Sequence, residues 1–238
     1  FFQRITTNKP YVINKMAMSL DGRTAMESGE SQWITGPQAR AQVHLLRAQS
    51  CAIITGIGSV LRDDPSMNAR AQELMISGVP DTTVKRMKQP LRVILDSQLR
   101  MPVTAKLLQQ SGPVLVVTCV TDLKLHKPLV DAGAELVVCA LNDDEKVDLA
   151  AVLKVLSQRQ CNQVLVEAGA GLSGAFLTEG LTDHLVVYMA PKLLGSKAKA
   201  LFNLPLDKMS QAYGLDIKHI SQVGHDWRID ATPKSADS

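Results

Sequence analysis

A glycine run, Gly169-Ala170-Gly171-Leu172-Ser173-Gly174, has the sharpest chemical content in this chain of 238 residues. It is a G-x-G-x-x-G that follows directly on the strand-like QVLVEA and leads into a helical stretch. Side chains this small let backbone approach a pyrophosphate, and free N–H groups at a helix start attract negative charge. The same spacing also suits a plain strand-to-helix turn whose glycines supply positive φ, and spacing alone does not separate the two. The usual dinucleotide fingerprint adds an acid near the end of the next strand, about 20 residues on. Here that strand ends Tyr188-Met189-Ala190-Pro191-Lys192, with no acid. A second run, Thr55-Gly56-Ile57-Gly58-Ser59, also follows a strand. Two glycine-rich turns at strand ends fit a cofactor lying across a crevice, in an order that is not the standard Rossmann one.

Several polar residues add to this. If the cofactor is NADP, its 2′-phosphate needs a basic group and hydroxyl donors, and Asp96-Ser97-Gln98-Leu99-Arg100 at another strand end offers Ser97 and Arg100. An ordinary turn capped by Asp96 is the rival reading. Arg47 and Arg70 suit a phosphate because the planar guanidinium makes paired, charge-assisted hydrogen bonds. Taken singly, each also reads as a helix-end or loop charge. Lys15 sits mid-strand among apolar residues, where its ammonium either snorkels or meets a polar cavity, and it is a candidate proton donor. An edge strand with Lys15 facing water is the alternative. Asp63 and Asp64 can cap a turn, hold a cation or bind sugar hydroxyls. The five histidines are dispersed, with no Ser/His/Asp or Cys/His set. Cys51, Cys119, Cys139 and Cys161 lack metal-ligand spacing and are expected to be buried, reduced thiols of a cytoplasmic protein, with no metal site and with one disulfide pair as the alternative.

The elements that must position these residues alternate. The pattern predicts strands over 11–20, 51–57, 91–97, 113–119, 135–139 and 163–167. It predicts helices over 37–49, 103–110, 123–132, 149–158 and 175–179, and a short turn or helix over 58–65. Strands continuous in Val, Ile and Leu and separated by helices imply a mostly parallel sheet covered on both faces. Residues 69–89 read as a surface loop or weak helix. After the strand in LTDHLVVYMAPKLLG, two runs over 214–223 and 227–231, joined by Gly224-His225-Asp226, predict a C-terminal antiparallel hairpin at one sheet edge. The fold class is therefore α/β with a mixed sheet, expected as one domain over 1–238. Composition agrees with an ordinary globular chain: 45% apolar, 21% charged, 26 basic against 23 acidic residues. A net charge of +3 without a basic block implies no nucleic acid. No apolar stretch approaches the roughly 18 residues of a membrane span. The start at Phe1, without an initiator Met or a signal-peptide plan, is read as the trimmed C-terminal part of a longer polypeptide.

The segments KMAMSLDGRTA, SGESQWITGPQAR, HLLRAQSCAIITGIGSVLRDDP, LRVILDS, VLVEAGAGLSGAFL and VVYMAPKLLGS, in this order, resemble the reductase part of bacterial riboflavin-biosynthesis deaminase/reductase enzymes. The resemblance covers nearly the whole chain and is weakest over 98–161. It implies a dihydrofolate-reductase-like fold, usually a homodimer, and NADPH-dependent reduction of the ribosyl group of 5-amino-6-(5-phosphoribosylamino)uracil to a ribityl chain. Carried over by motif, Ala17, Trp33, Ser59, Asp63, Ser97 and the stretch Gly169, Ala170, Gly171, Leu172, Ser173, Gly174, Ala175 are implied cofactor contacts. Ser31, Arg47, Met67, Arg70 and Glu167 are implied substrate contacts, and Lys15 is the candidate catalytic proton donor. The family's zinc deaminase motifs, H-x-E and P-C-x-x-C, do not occur here. The deaminase is therefore expected in the parent chain, and this piece is expected to reduce only.

Overall fold

A computed structural model describes residues 1–234. Its strands are β1 (Tyr11–Ser19), β2 (Arg23–Ala25), β3 (Ala52–Gly56), β4 (Leu91–Leu95), β5 (Val114–Thr118), β6 (Glu135–Val138), β7 (Gln163–Val166), β8 (His184–Ala190), β9 (Lys199–Ala200), β10 (Leu215–Val223) and β11 (Asp226–Pro233). Its α-helices are α1 (Phe2–Thr7), α2 (Pro37–Gln49), α3 (Ile57–Asp63), α4 (Ala71–Ile76), α5 (Asp81–Val84), α6 (Leu123–Asp131), α7 (Leu149–Gln158) and α8 (Ala170–Thr178). The fold is α/β, with a mostly parallel sheet and C-terminal antiparallel strands. The chain divides into two compact units, one of residues 1–11 and 44–165, the other of residues 12–43 and 166–238.

In the first unit the strands run in the order β7-β3-β4-β5-β6, and β3, β4, β5 and β6 pair in parallel. Ile53, Ile54, Val93, Ile94, Leu115 and Val116 are fully buried, as expected of strands apolar on both faces. Side-chain caps set two helix starts: Asp122 accepts from the Lys124 N–H and Asp148 from the Ala151 N–H. The helix expected over 103–110 is instead one 3-10 turn, Lys106–Gln109. There the guanidinium of fully buried Arg92 takes the carbonyls of Leu107, Gln110, Gly112 and Pro113, closing the irregular turns that lead into β5. Residues 69–89 form α4 and α5, short helices held by buried Leu74 and Val84 packed with Leu45 and Met87.

In the second unit the order is β10-β11-β8-β1, with β1 and β8 parallel and the other pairs antiparallel. Val223 pairs with Asp226 around Gly224, whose φ of 65° favours glycine. The hairpin expected at the sheet edge is present. A two-stranded ribbon, β2 with β9, was not foreseen, and at three and two residues these strands are too short to leave a periodic signal.

The cysteine expectation needs correction. All four are free thiols, but only Cys161 is buried; Cys119 and Cys139 are half-buried and Cys51 is exposed. Cys51 precedes the first buried residue of β3, so flanking apolar residues misled. No helix among the described residues is long and apolar enough to cross a membrane.

Candidate functional site

In the first unit, register sets Gly56 beside Leu95, Leu95 beside Val117 and Val117 beside Val137, so the carboxyl ends of four parallel strands share one edge. Ligands of open α/β sheets bind outside such an edge. From β3 the chain enters α3 directly, with Ser59 half-buried in its first turn and Asp63 exposed in its last. Asp64 caps: it ends α3 at φ 38° and accepts from the Lys106 N–H at 2.8 Å. From β4 the chain enters a closed turn in which buried Asp96 accepts from the Met101 N–H at 2.8 Å. The turn capped by Asp96 thus exists, and it is what presents the two candidate residues. Ser97 is half-buried, its hydroxyl accepting from the Val147 N–H at 3.0 Å, while Arg100 is exposed.

The two candidate phosphate arginines meet one short segment of this unit. His44 and Arg47, three apart on α2, share a helix face. The Arg47 guanidinium donates to the Asn68 carbonyl at 3.1 Å, and the Arg70 N–H donates to His44 Nδ1 at 3.1 Å. Between them, the Gln89 amide bonds both the N–H and the carbonyl of Ala69, each at 2.9 Å. Met67 is only 3% exposed and sits at φ 48°, a strained conformation for a side chain of this kind.

In the second unit, Lys15 is half-buried on β1 opposite Val186, and Ala17 lies opposite Tyr188. Tyr188 and Val186 face Arg228 and Asp230 across β11. Directly opposed residues share a face, so this places Lys15 with a buried polar cluster that the sequence reading missed. Arg228 grips Asp230 at 2.7 and 2.8 Å, and His184 lies 2.9 Å from it. Burial works against ionising Asp230, but Arg228 and His184 outweigh it and hold the carboxyl below the usual range. Burial pushes the Tyr188 phenol up to about 12, with Arg228 opposing and the charges of Asp230 and Glu167 adding. The Tyr188 hydroxyl donates to Gln42 at 3.2 Å, and Glu167 is half-buried just past β7. The alternation Arg228-Ile229-Asp230 in a strand was the signal available for this cluster.

Ser31 is half-buried and Trp33 is 62% exposed. Arg40 stacks 4.5 Å over the Trp33 ring, and Lys192 donates to the Trp33 carbonyl at 2.8 Å. The glycine motif is no free loop: α8 begins at Ala170, with Gly169 as an N-cap that lacks a side-chain cap. The helix expected from Ala175 therefore starts five residues earlier. None of the three motif glycines has positive φ, so a turn needing left-handed glycine is ruled out. Gly169 and Gly171 are exposed with open space where a Cβ would stand. A Cβ at Gly174 would collide with the Asn203 carbonyl, and Ser173 is buried beside it. The motif thus offers two open backbone positions at an uncapped helix start, suited to an anionic group. Its third glycine serves packing.

The RibD C-terminal domain family model matches residues 10–229. Riboflavin biosynthesis protein RibD of Escherichia coli (strain K12) is 42% identical over 229 residues, which is 95% of this chain and 60% of that protein. The 5-amino-6-(5-phosphoribosylamino)uracil reductase of Buchnera aphidicola subsp. Acyrthosiphon pisum (strain APS) is 33% identical over 210 residues, covering 88% of this chain and 99% of that one. Among solved structures, Acinetobacter baumannii RibD, form 1, superposes with a TM-score of 0.86 at 40% identity, over 99% of this chain and 61% of that chain. The chain spans about 60% of the length of the curated RibD proteins of Escherichia coli and Haemophilus influenzae.

Proposed function

The chain belongs to the RibD C-terminal domain family, and from that premise we propose that it is an NADPH-dependent oxidoreductase. Its substrate is 5-amino-6-(5-phosphoribosylamino)uracil, whose ribosyl group it reduces to a ribityl chain in riboflavin biosynthesis. The observation that carries the substrate reading is the pair of arginines, Arg47 and Arg70, tied to the two ends of the segment 68–70. One guanidinium bonded to this segment and a second carried on its anchored backbone suit a phosphate monoester.

In this reading Ala17, Trp33, Ser59, Asp63, Ser97, Arg100 and residues 169–175 serve the cofactor. The open backbone of Gly169 and Gly171 and the uncapped start of α8 fit the anionic part of a dinucleotide. Exposed Arg100 beside Ser97 fits the extra phosphate that distinguishes NADPH from NADH. When bound, the reduced nicotinamide supplies a hydride to the sugar C1. The ribosylamine ring opens first to a C1=N imine, with its ring oxygen released as a hydroxyl. Addition of hydride at C1 would then turn C1=N into a single bond, and Lys15 would give the nitrogen its proton, directly or through water. Ser31, Met67 and Glu167 complete the substrate contacts, Met67 through its backbone because its side chain is buried. The remote phosphate on Arg47 and Arg70 contributes to binding of the substrate.

The reading extends to a single reductase domain over 1–238 within a longer, bifunctional parent that carries the deaminase. The four free thiols are what a reducing compartment keeps, which supports a cytoplasmic enzyme. The exposed Leu215, Ile217 and Ile220 of edge strand β10 support a homodimer. Incubating the protein with NADPH and the aminouracil ribosyl phosphate, and following nicotinamide absorbance, tests the activity. Oxidation of NADPH that depends on this substrate is expected. Turnover with a pterin instead, or cofactor binding without turnover, would each replace the reading.

A further inference from the structure

The phosphate reading leaves open what holds Arg70 in place. Its guanidinium makes no hydrogen bond or ion pair among the described residues, so its location follows from the backbone at residue 70. That backbone is the N-cap of α4 and lacks a side-chain cap. The segment before it carries strain at Met67, and conformations of that kind persist only where the surroundings over-determine them. The determining contacts here are side chains from other elements: Arg47 on the Asn68 carbonyl, Gln89 on both polar groups of Ala69, and His44 on the Arg70 N–H.

We propose that His44 is a positioning residue for substrate phosphate: by accepting the Arg70 N–H it fixes the backbone from which the Arg70 guanidinium reaches the phosphate. The proposal rests on the reading of Arg47 and Arg70 as phosphate-binding residues. A backbone amide can only donate, so Nδ1 of His44 must present its lone pair and the neutral ring must carry its proton on Nε2. His44 is 7% exposed, which keeps competing water from the bond. Its place one helical turn before Arg47 lets a single face of α2 present one arginine and hold the other by its backbone. The phosphate lies away from the reacting carbon, so the loss should fall on substrate binding and leave the chemical step intact.

The test compares His44→Asn, His44→Gln and Arg70→Ala. Asn sets an acceptor oxygen close to the place of Nδ1, whereas Gln carries it one bond farther out. His44→Asn is expected to keep the substrate KM within about threefold, and His44→Gln to raise it about tenfold, the scale of one well-placed hydrogen bond. Saturating kcat and NADPH Kd should stay unchanged in both, and the Gln effect should vanish with dephosphorylated substrate. Equal KM values for Asn and Gln, or a kcat or NADPH Kd that moves with KM, overturn the proposal. A normal KM in Arg70→Ala overturns the phosphate reading itself, and the proposal with it. If the amide variants do not fold, the imidazole 15N shifts of wild-type His44 decide. A proton on Nε2 supports the proposal, and one on Nδ1 overturns it.

Discussion

The same substitution three residues apart in one helix should have opposite effects. Gly171→Ala adds a methyl group where nothing lies within reach, in the first turn of α8, so it should gain helix propensity of up to about 1 kcal/mol. For a chain of this size that corresponds to a rise of roughly 2 to 4 °C in Tm. Gly174→Ala has the same propensity gain, but its methyl group meets the carbonyl of Asn203, whose own N–H is bonded to the Ala170 carbonyl. The obstacle is therefore backbone anchored to the same helix. Overpacking of this kind costs about 1 to 3 kcal/mol, leaving a net loss of about 1 kcal/mol and a Tm lowered by a few degrees. NADPH titration should give the reverse ranking. Gly171→Ala should weaken the cofactor by about tenfold or more, because backbone open to solvent is where a pyrophosphate would approach. Gly174→Ala should act on affinity only through stability. Melting curves with and without NADPH, on both variants, measure all of this. A Gly174→Ala protein as stable as wild type would refute the packing argument. Unchanged NADPH affinity in Gly171→Ala would refute the anion site.

Lys15→Met should lower turnover by roughly 100-fold or more while NADPH affinity and Tm persist, the scale of losing a positioned acid; near-normal turnover would exclude the proton-donor role. Wild type should prefer NADPH over NADH by about tenfold or more, and Arg100→Ala should erase most of that preference, since charge-assisted bonds contribute roughly 1.5 to 3 kcal/mol. Equal titration curves for both cofactors in wild type would remove Ser97 and Arg100 from the site. Cys51 should alkylate at a rate that is flat from about pH 6.5 to 9. The Cys161 thiol and the N–H groups of Gln163 and Asn162 favour its thiolate and bring it down to about 5, so it is already ionised across that window. A rate that climbs tenfold per pH unit over that range would contradict it, and Cys51→Ser identifies the reacting residue.

Periodicity located β3, β4, β5 and β7 and the helices α2 and α7 because each buries a continuous or 3.6-spaced apolar set. It failed where a distant side chain takes part in local structure. The residues 103–110 have helical spacing, yet only a 3-10 turn forms there, with Arg92 from another element holding the carbonyls of Leu107 and Gln110. The motif at residues 169–174 was found by its glycines, but spacing could not tell open backbone at Gly171 from close packing at Gly174. Lys15, Arg47 and Arg70 were legible as charges in unusual settings. His44 was not, because a histidine chosen to accept one backbone N–H leaves no pattern in the residues around it. The cluster of Tyr188, Arg228 and Asp230 was missed for a different reason: the Arg228-Ile229-Asp230 alternation was legible, but Tyr188 joins that pair only through strand register.

Buried Arg92 has a broader role than filling space between β4 and β5. Its guanidinium meets four backbone carbonyls and no carboxylate, so its positive charge is balanced by peptide dipoles alone. Burial accordingly weakens its hold on the proton. Lysine brings a compact ammonium with three donors and no planar fork, and could not span acceptors spread over residues 107–113. The connection to β5 therefore has the character of a keystone arch. It contains almost no repeating structure of its own, and one side chain from the neighbouring strand ties four of its carbonyls together.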